Sequence, residues 1–179
     1  MKYLIIGGSK SGKSEIGEKI SLVLSKEKVI YIATMKPYDK EDKERIKKHI
    51  QRRQGLNYET FEIERDLHKI VNSISEEDTV LIDSITSLLT NEMFCNEKII
   101  KNPSLNILYG LEKILFKAKN TLVVSDYIFN DAIEYDEITK NYQRELARVN
   151  RRLAEICDNV IECSFGNVKY YKDRGENII

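Results

Sequence analysis

The sequence carries no excess charge of either sign: lysine plus arginine and aspartate plus glutamate both number 29. A balanced chain has no bulk field to draw it to nucleic acid or an anionic membrane, so phosphate binding must come from charge gathered locally. Long apolar runs are also missing. The amino-terminal MKYLIIGG is too brief for a signal peptide or a membrane span, and no later stretch approaches the roughly 20 residues of a spanning helix. A cytoplasmic location is therefore the expectation. Cysteine is scarce, and Cys95, Cys157 and Cys163 stand far apart with no CxxC pair. That spacing argues against a disulfide framework and a zinc site, and leaves three expected core thiols. His49 and His68 are the whole supply of imidazole, distant from each other and without a carboxylate-rich motif, so a metal cage built by protein alone is not expected. Low-complexity blocks and internal repeats are absent too, and 41% hydrophobic with 32% charged residues is the composition of a folded globular chain.

At 179 residues the chain supports one α/β domain with a substantial core, and residues 1–179 are read as a single unit. Short β-branched runs at 3–6, 29–32, 58–63, 79–82, 121–125 and 159–163 alternate with amphipathic stretches. Helices are expected over 13–25, 39–53, 65–73, 84–95, 104–119 and 137–157. The last has the clearest pattern, with Leu146, Val149, Leu153 and Ile156 at helical spacing amid charges. Residues 96–102, ended by Pro103, and 130–136 read as loops. Alternation of this kind predicts an α/β fold with a mostly parallel central sheet and helices on both faces. A final run, 167–171, follows Cys163 after a short segment containing Gly166, so an antiparallel hairpin is expected at the carboxy-terminal edge.

Between the first strand and the first helix stands Gly7-Gly8-Ser9-Lys10-Ser11-Gly12-Lys13-Ser14, which satisfies G-x-x-x-x-G-K-[ST] in the strand–loop–helix context that gives the motif meaning. Glycines allow backbone N–H groups to curl around phosphate oxygens, and the following helix directs its positive end at the same anion. Lys13 is then expected at the terminal phosphates and Ser14 on Mg²⁺, in a P-loop NTPase of RecA-like form. Asp83 closes the apolar run TVLID, where it could hold the magnesium's hydration shell beside Ser14 or cap the helix that follows. In DKEDKERIKKHIQRRQG a helix places Arg45, His49, Arg52 and Arg53 along one stripe, with Ile46 and Ile50 beside it. Positive neighbours keep an imidazole neutral, hence nucleophilic, and arginines could neutralise a phosphate that it attacks. The same spacing also describes a solvated basic helix face. His68, beside Leu67, Ile70 and Val71, reads as a surface or partly packed side chain, and Tyr31, Tyr58, Tyr170 and Tyr171 need no more than β-propensity to explain them.

Taken in order, GGSKSGKS, YIAT at 31–34, ERIKKHIQRR around His49, Glu62 at the end of YETFE, LIDSITSLLTN at 81–91 and ARVNRRLAE around Asn150 resemble the bifunctional adenosylcobinamide kinase/adenosylcobinamide-phosphate guanylyltransferase family of cobalamin biosynthesis. The likeness runs over nearly the whole chain. It implies that His49 is guanylylated by GTP with loss of pyrophosphate, that the GMP passes to adenosylcobinamide phosphate, and that the same protein first phosphorylates adenosylcobinamide. Carried over by position, the resemblance marks residues 7–14, Thr34, Met35, Lys36, Ile50, Gln51, Arg52, Arg53, Glu62 and Asp83 as nucleotide ligands, and His49 with Lys13 as catalytic. Ser14 and Asp83 would hold Mg²⁺, although Glu62 or Asp83 is equally suited to accept the N–H donors of guanine. GTP or ATP and a corrinoid are the implied small-molecule partners, with no nucleic acid, and a homo-oligomer, a trimer, is the implied assembly. One segment departs from the family pattern: where an asparagine-glutamate-valine-glycine run and a glycine-isoleucine-valine-proline turn are usual, this chain has SDYIFN and then DAIEYDEITK. A P-loop kinase with another small-molecule acceptor and no covalent intermediate is the alternative. A nucleotide switch is disfavoured, since N-K-x-D and D-x-x-G are both absent.

Overall fold

The structure is a computed structural model that describes residues 1–128, 133–165 and 167–174. In chain order the elements are β1 (Lys2–Gly7), α1 (Lys13–Leu24), β2 (Val29–Ala33), α2 (Lys40–Arg53), β3 (Tyr58–Glu62), a 3₁₀ helix (Leu67–Ser73), β4 (Thr79–Asp83) and α3 (Ile85–Met93). They continue with the two-residue strands β5 (Phe94–Cys95) and β6 (Lys98–Ile99), then α4 (Pro103–Lys117), β7 (Asn120–Asp126), α5 (Glu137–Ile156), β8 (Asn159–Ser164) and β9 (Asn167–Lys172). Seven strands form one sheet in the order β3-β2-β4-β7-β1-β8-β9, parallel throughout except for the β8–β9 pair.

Successive strand residues point to opposite faces, so the β-branched runs supply two cores at once. Tyr3, Ile5, Tyr31, Leu81, Leu122, Val124 and Ile161 pack with Ile20 of α1 on one face. Leu4, Ile30, Ile32, Val80, Ile82, Val123 and Val160 pack on the other against the 3₁₀ helix, α3, α4 and α5. Helices on both faces and the antiparallel carboxy-terminal edge are as the sequence predicts. Gly166 and residues 130–132 of the expected 130–136 loop lie outside the described residues.

The local structure departs from the sequence reading in three places. The segment expected as a helix over 65–73 is 3₁₀: Leu67 and Ile70, three apart, are both buried, and the tighter helix aligns i with i+3. The helix expected to reach residue 95 stops at Met93, because Phe94–Cys95 pairs with Lys98–Ile99 in a small antiparallel hairpin that straddles the end of that helix and the start of the expected 96–102 loop. Its turn residues Asn96 and Glu97 both take positive φ, 51° and 61°, as a two-residue hairpin demands. Cys157 and Cys163 are core thiols as expected, but Cys95 is only half-buried and lies against the Arg65 guanidinium.

Candidate functional site

The site forms along the carboxyl ends of β1, β2, β4 and β7, where loops of a parallel sheet meet helix amino termini. Between β1 and α1 the chain turns at Gly12, whose φ of 91° is left-handed and natural only to glycine. Lys13 follows at 6% exposure, its ammonium donating to the Gly8 carbonyl at 3.0 Å and paired with Asp126 Oδ1 at 2.5 Å. The Ser11 hydroxyl is buried with no hydrogen-bond partner among the described residues, which leaves it free to serve a phosphate oxygen.

Asp83 does not cap α3. That role belongs to Ser84, whose hydroxyl accepts from the Ser87 N–H at 3.4 Å. The Asp83 carboxylate instead receives the Ser14 hydroxyl at 3.3 Å and the Tyr31 hydroxyl at 2.8 Å. A hydroxyl beside a carboxylate at the foot of a phosphate loop is the hard-oxygen donor set that suits Mg²⁺, which binds few protein ligands and keeps the rest for phosphate and water. Burial, with Asp83 close by, pushes the Tyr31 phenol well above its ordinary value, so it stays a donor.

The charged helix is α2. Asp39 caps it, accepting from Asp42 N–H at 2.8 Å, and acids in its first turn with Arg52 and Arg53 in its last complement the helix dipole. Its basic stripe is not simply solvated. Glu18, a 4% exposed carboxylate on α1, grips Arg52 at 2.7 and 2.8 Å and lies 3.9 Å from Arg53. Arg53 is itself buried, its guanidinium 3.5 Å from the centre of the Tyr31 ring. Arg52 also donates to His49 Nδ1 at 3.2 Å. Burial chiefly, then Arg52, Arg53 and Arg45, hold the His49 imidazole below its usual pKa against the opposing pull of Asp83. The ring is therefore neutral near pH 7.

Two cavities open on this ground. One, of about 730 Å³, is lined by residues 9–15 of the phosphate loop and by Glu41, Glu44, Arg45, Lys48, His49 and Arg52 of α2. The other, of about 200 Å³, is lined by apolar Ala33, Met35, Pro37 and Ile46, the Tyr31 ring, and the acids Glu62, Glu64 and Asp83. Ser14, Arg45 and His49 border both. Of the other expected ligands, Thr34 is fully buried and engaged twice with Ser84, accepting from its N–H at 2.8 Å and donating to its carbonyl at 2.7 Å. Lys36 stands 3.8 Å from Glu64, while the exposed Ile50 and Gln51 line neither cavity. His68 is half-buried, as expected, and tilts against the Tyr109 ring, away from the site. Three participants have no sequence signature: Glu18, which reads as a surface helix residue, Tyr31, which reads as a strand filler, and Asp126, at the start of the divergent segment. Only the basic cluster opposite could have pointed to Glu18.

A glycine loop opening onto a helix, with a Lys13–Ser14 pair and a facing Asp83 on a sheet covered on both faces, defines a P-loop nucleotide-binding protein. Solved structures share the fold: the flagellar accessory protein FlaH of Methanocaldococcus jannaschii (TM-score 0.51, 15% identity, 96% of this chain and 78% of that one) and a KaiC-like protein of Pyrococcus horikoshii (TM-score 0.54, 12% identity, 98% and 81%). The cobinamide kinase/cobinamide phosphate guanyltransferase family matches residues 3–169, and the chain belongs to that family. Its relatives include the bifunctional adenosylcobalamin biosynthesis proteins CobU of Salmonella typhimurium, 25% identical over 89% of this chain and 93% of that protein, and CobP of Pseudomonas aeruginosa, 29% identical over 89% and 91%. The protein is thus a transferase of cobalamin biosynthesis by family. No helix among the described residues is long and apolar enough to cross a membrane.

Proposed function

We propose that the protein phosphorylates adenosylcobinamide and then transfers GMP from GTP to adenosylcobinamide phosphate through a guanylyl-histidine at His49, giving adenosylcobinamide-GDP. The observation that carries this reading is that His49, held neutral, stands on the wall common to the phosphate-loop cavity and the smaller slot. A nucleotide spanning the two presents its α-phosphate to the ring. The slot combines apolar side chains and the Tyr31 ring with the carboxylates of Glu62, Glu64 and Asp83, which suits a purine whose N–H groups need acceptors. Glu62 or Asp83 can fill that role.

In the first half-reaction an imidazole nitrogen bonds to the α-phosphorus as the bond from that phosphorus to the pyrophosphate oxygen breaks, and pyrophosphate departs. Arg52, already 3.2 Å from Nδ1, lies where charge gathers on the phosphoryl oxygens, and Lys13 meets the departing phosphates. In the second, a phosphate oxygen of adenosylcobinamide phosphate attacks the same phosphorus and the P–N bond breaks, returning a free imidazole. Ser14 and Asp83 would hold Mg²⁺, which would supply charge neutralisation on the phosphate chain. Glu18 fixes Arg52 and Arg53 between the two helices, and Tyr31 ties the arginine cluster to Asp83.

Incubation with α-³²P-GTP should label the protein through an acid-labile, hydroxylamine-sensitive bond, and His49→Ala should abolish the label. Full labelling of that variant would refute the assignment. Phosphorylation of a small acceptor with no label on the wild-type protein would favour a P-loop kinase without a covalent intermediate.

A further inference from the structure

Asp126 is the last residue of β7, the strand that separates the phosphate-loop strand β1 from the Asp83 strand β4. In register it lies beside Gly7, and Val124, two residues before it, lies beside Asp83. Asp126 therefore projects over the crevice between loop and metal-side carboxylate. Its side chain is 20% exposed, open to a substrate. Its backbone is pinned from two helices, the N–H donating to Thr86 Oγ1 at 3.2 Å and the carbonyl accepting from Asn150 Nδ2 at 3.1 Å. Asn150 is in turn fixed by the Ser125 hydroxyl at 2.7 Å. Of the other carboxylates around the loop, Asp83 is engaged with Ser14 and Tyr31, Glu15 with Lys19 at 3.0 Å and Glu18 with the arginines, while Glu41 and Glu44 are exposed on α2; among the described residues it is Asp126 that pairs with Lys13.

A carboxylate 2.5 Å from the Lys13 ammonium stands where that ammonium meets a terminal phosphate. When a triphosphate draws Lys13 onto its own oxygens, Asp126 is left beside the γ-phosphorus with an uncommitted anion. We propose that Asp126 is the general base for phosphoryl transfer to the corrinoid hydroxyl, a role separate from guanylylation of His49. The hydroxyl oxygen bonds to the γ-phosphorus as the bond from that phosphorus to the β–γ bridging oxygen breaks. The nucleoside diphosphate leaves with the electron pair, and the hydroxyl proton passes to an Asp126 oxygen and on to water. The inference rests on the kinase half of the proposed function.

The test measures two reactions on the full chain: phosphorylation of adenosylcobinamide from γ-³²P-labelled triphosphate, and covalent labelling from α-³²P-GTP. Asp126→Asn should lower kcat for phosphorylation about 100-fold or more, the usual span for a lost general base. KM for corrinoid and nucleotide should stay within about threefold, and labelling should fall far less than phosphorylation. Phosphorylation within about tenfold of wild type would overturn the assignment. So would a parallel loss of both reactions, which would make Asp126 only a counter-ion for Lys13. Should Asp126→Asn fail to fold, Asp126→Glu decides, since it keeps the anion but displaces it by one methylene: slowed phosphorylation with labelling retained supports the base, and neither slowed refutes it. A wild-type protein that labels but phosphorylates no corrinoid would instead defeat the kinase reading itself.

Discussion

Glu18→Gln separates what the buried clamp does for stability from what it does for the site. The substitution keeps the shape of the side chain and removes its charge. Arg52 then loses one of two charge-assisted bonds, at 2.7 and 2.8 Å, each worth about 1.5–3 kcal/mol. Against this stands the cost of keeping a carboxylate at 4% exposure, several kcal/mol for an ion out of water. The balance is visible in the titration. Burial raises the Glu18 pKa above 4.5 and outweighs the opposing pull of Arg52 and Arg53. Arg52, although burial works against its charge, is held above its usual value by Glu18, but it is charged in folded and unfolded chains alike near neutrality. A raised carboxyl pKa means that the folded protein takes up this proton at a higher pH than the unfolded chain. Stability from this group therefore rises as pH falls from above the raised value towards 4.5, and Glu18→Gln removes that rise. At pH 7 the variant should match the wild type within about 1 kcal/mol, a Tm change of no more than about 2–4 °C for a chain of this size. His49 labelling should fall tenfold or more, because Arg52 is no longer held beside Nδ1, and about 1.4 kcal/mol of lost positioning suffices for that. Calorimetry at pH 7 and pH 5 with the labelling assay reads both quantities. A Tm loss above about 8 °C, or labelling at the wild-type rate, would refute the reasoning.

The rate of His49 labelling should hold level down to below pH 6.5 and then fall as the imidazole protonates, with Arg45→Gln moving the midpoint upward; a wild-type midpoint at or above 6.5 would contradict the burial and arginine effects. Chelation of divalent cations should stop labelling, and Asp83→Asn should raise the Mg²⁺ needed for half-maximal rate about tenfold, measured by titration. Gly110→Ala should destabilise by about 1–3 kcal/mol in urea unfolding despite a helix-propensity gain of about 1 kcal/mol, because the new Cβ would lie 2.6 Å from Leu67 Cβ and 2.8 Å from His68 N.

The elements that were legible from sequence are those whose signal is local. Buried parallel strands need β-branched runs, so 29–32 and 79–82 differ from β2 and β4 by a single residue at one end. The phosphate loop carries its chemistry in consecutive residues. The β5–β6 hairpin leaves no mark in the sequence, because two-residue strands have no periodicity and Asn-Glu is a weak turn signal beside Asn-Gly. Glu18 was illegible for a different reason: a glutamate on an amphipathic helix becomes a buried clamp only when Arg52, 34 residues later, folds over it. Asp126 meets Lys13 only because β7 inserts between β4 and β1, an order that no local pattern encodes.

That insertion couples the hydrophobic core to the chemistry. Along β7, Leu122 and Val124 pack on the α1 side and Val123 on the α5 side. The alternation continues past the core: Ser125 reaches Asn150 on α5, and Asp126 reaches Lys13 on α1. A slip of one residue in β7 would therefore turn each of these side chains into the opposite core and, in the same movement, present Lys13 with a hydroxyl where the carboxylate stands. The packing of three aliphatic side chains acts as a ruler for a charge placed beyond them, so sequence drift in this strand is constrained by reading frame as much as by hydrophobicity.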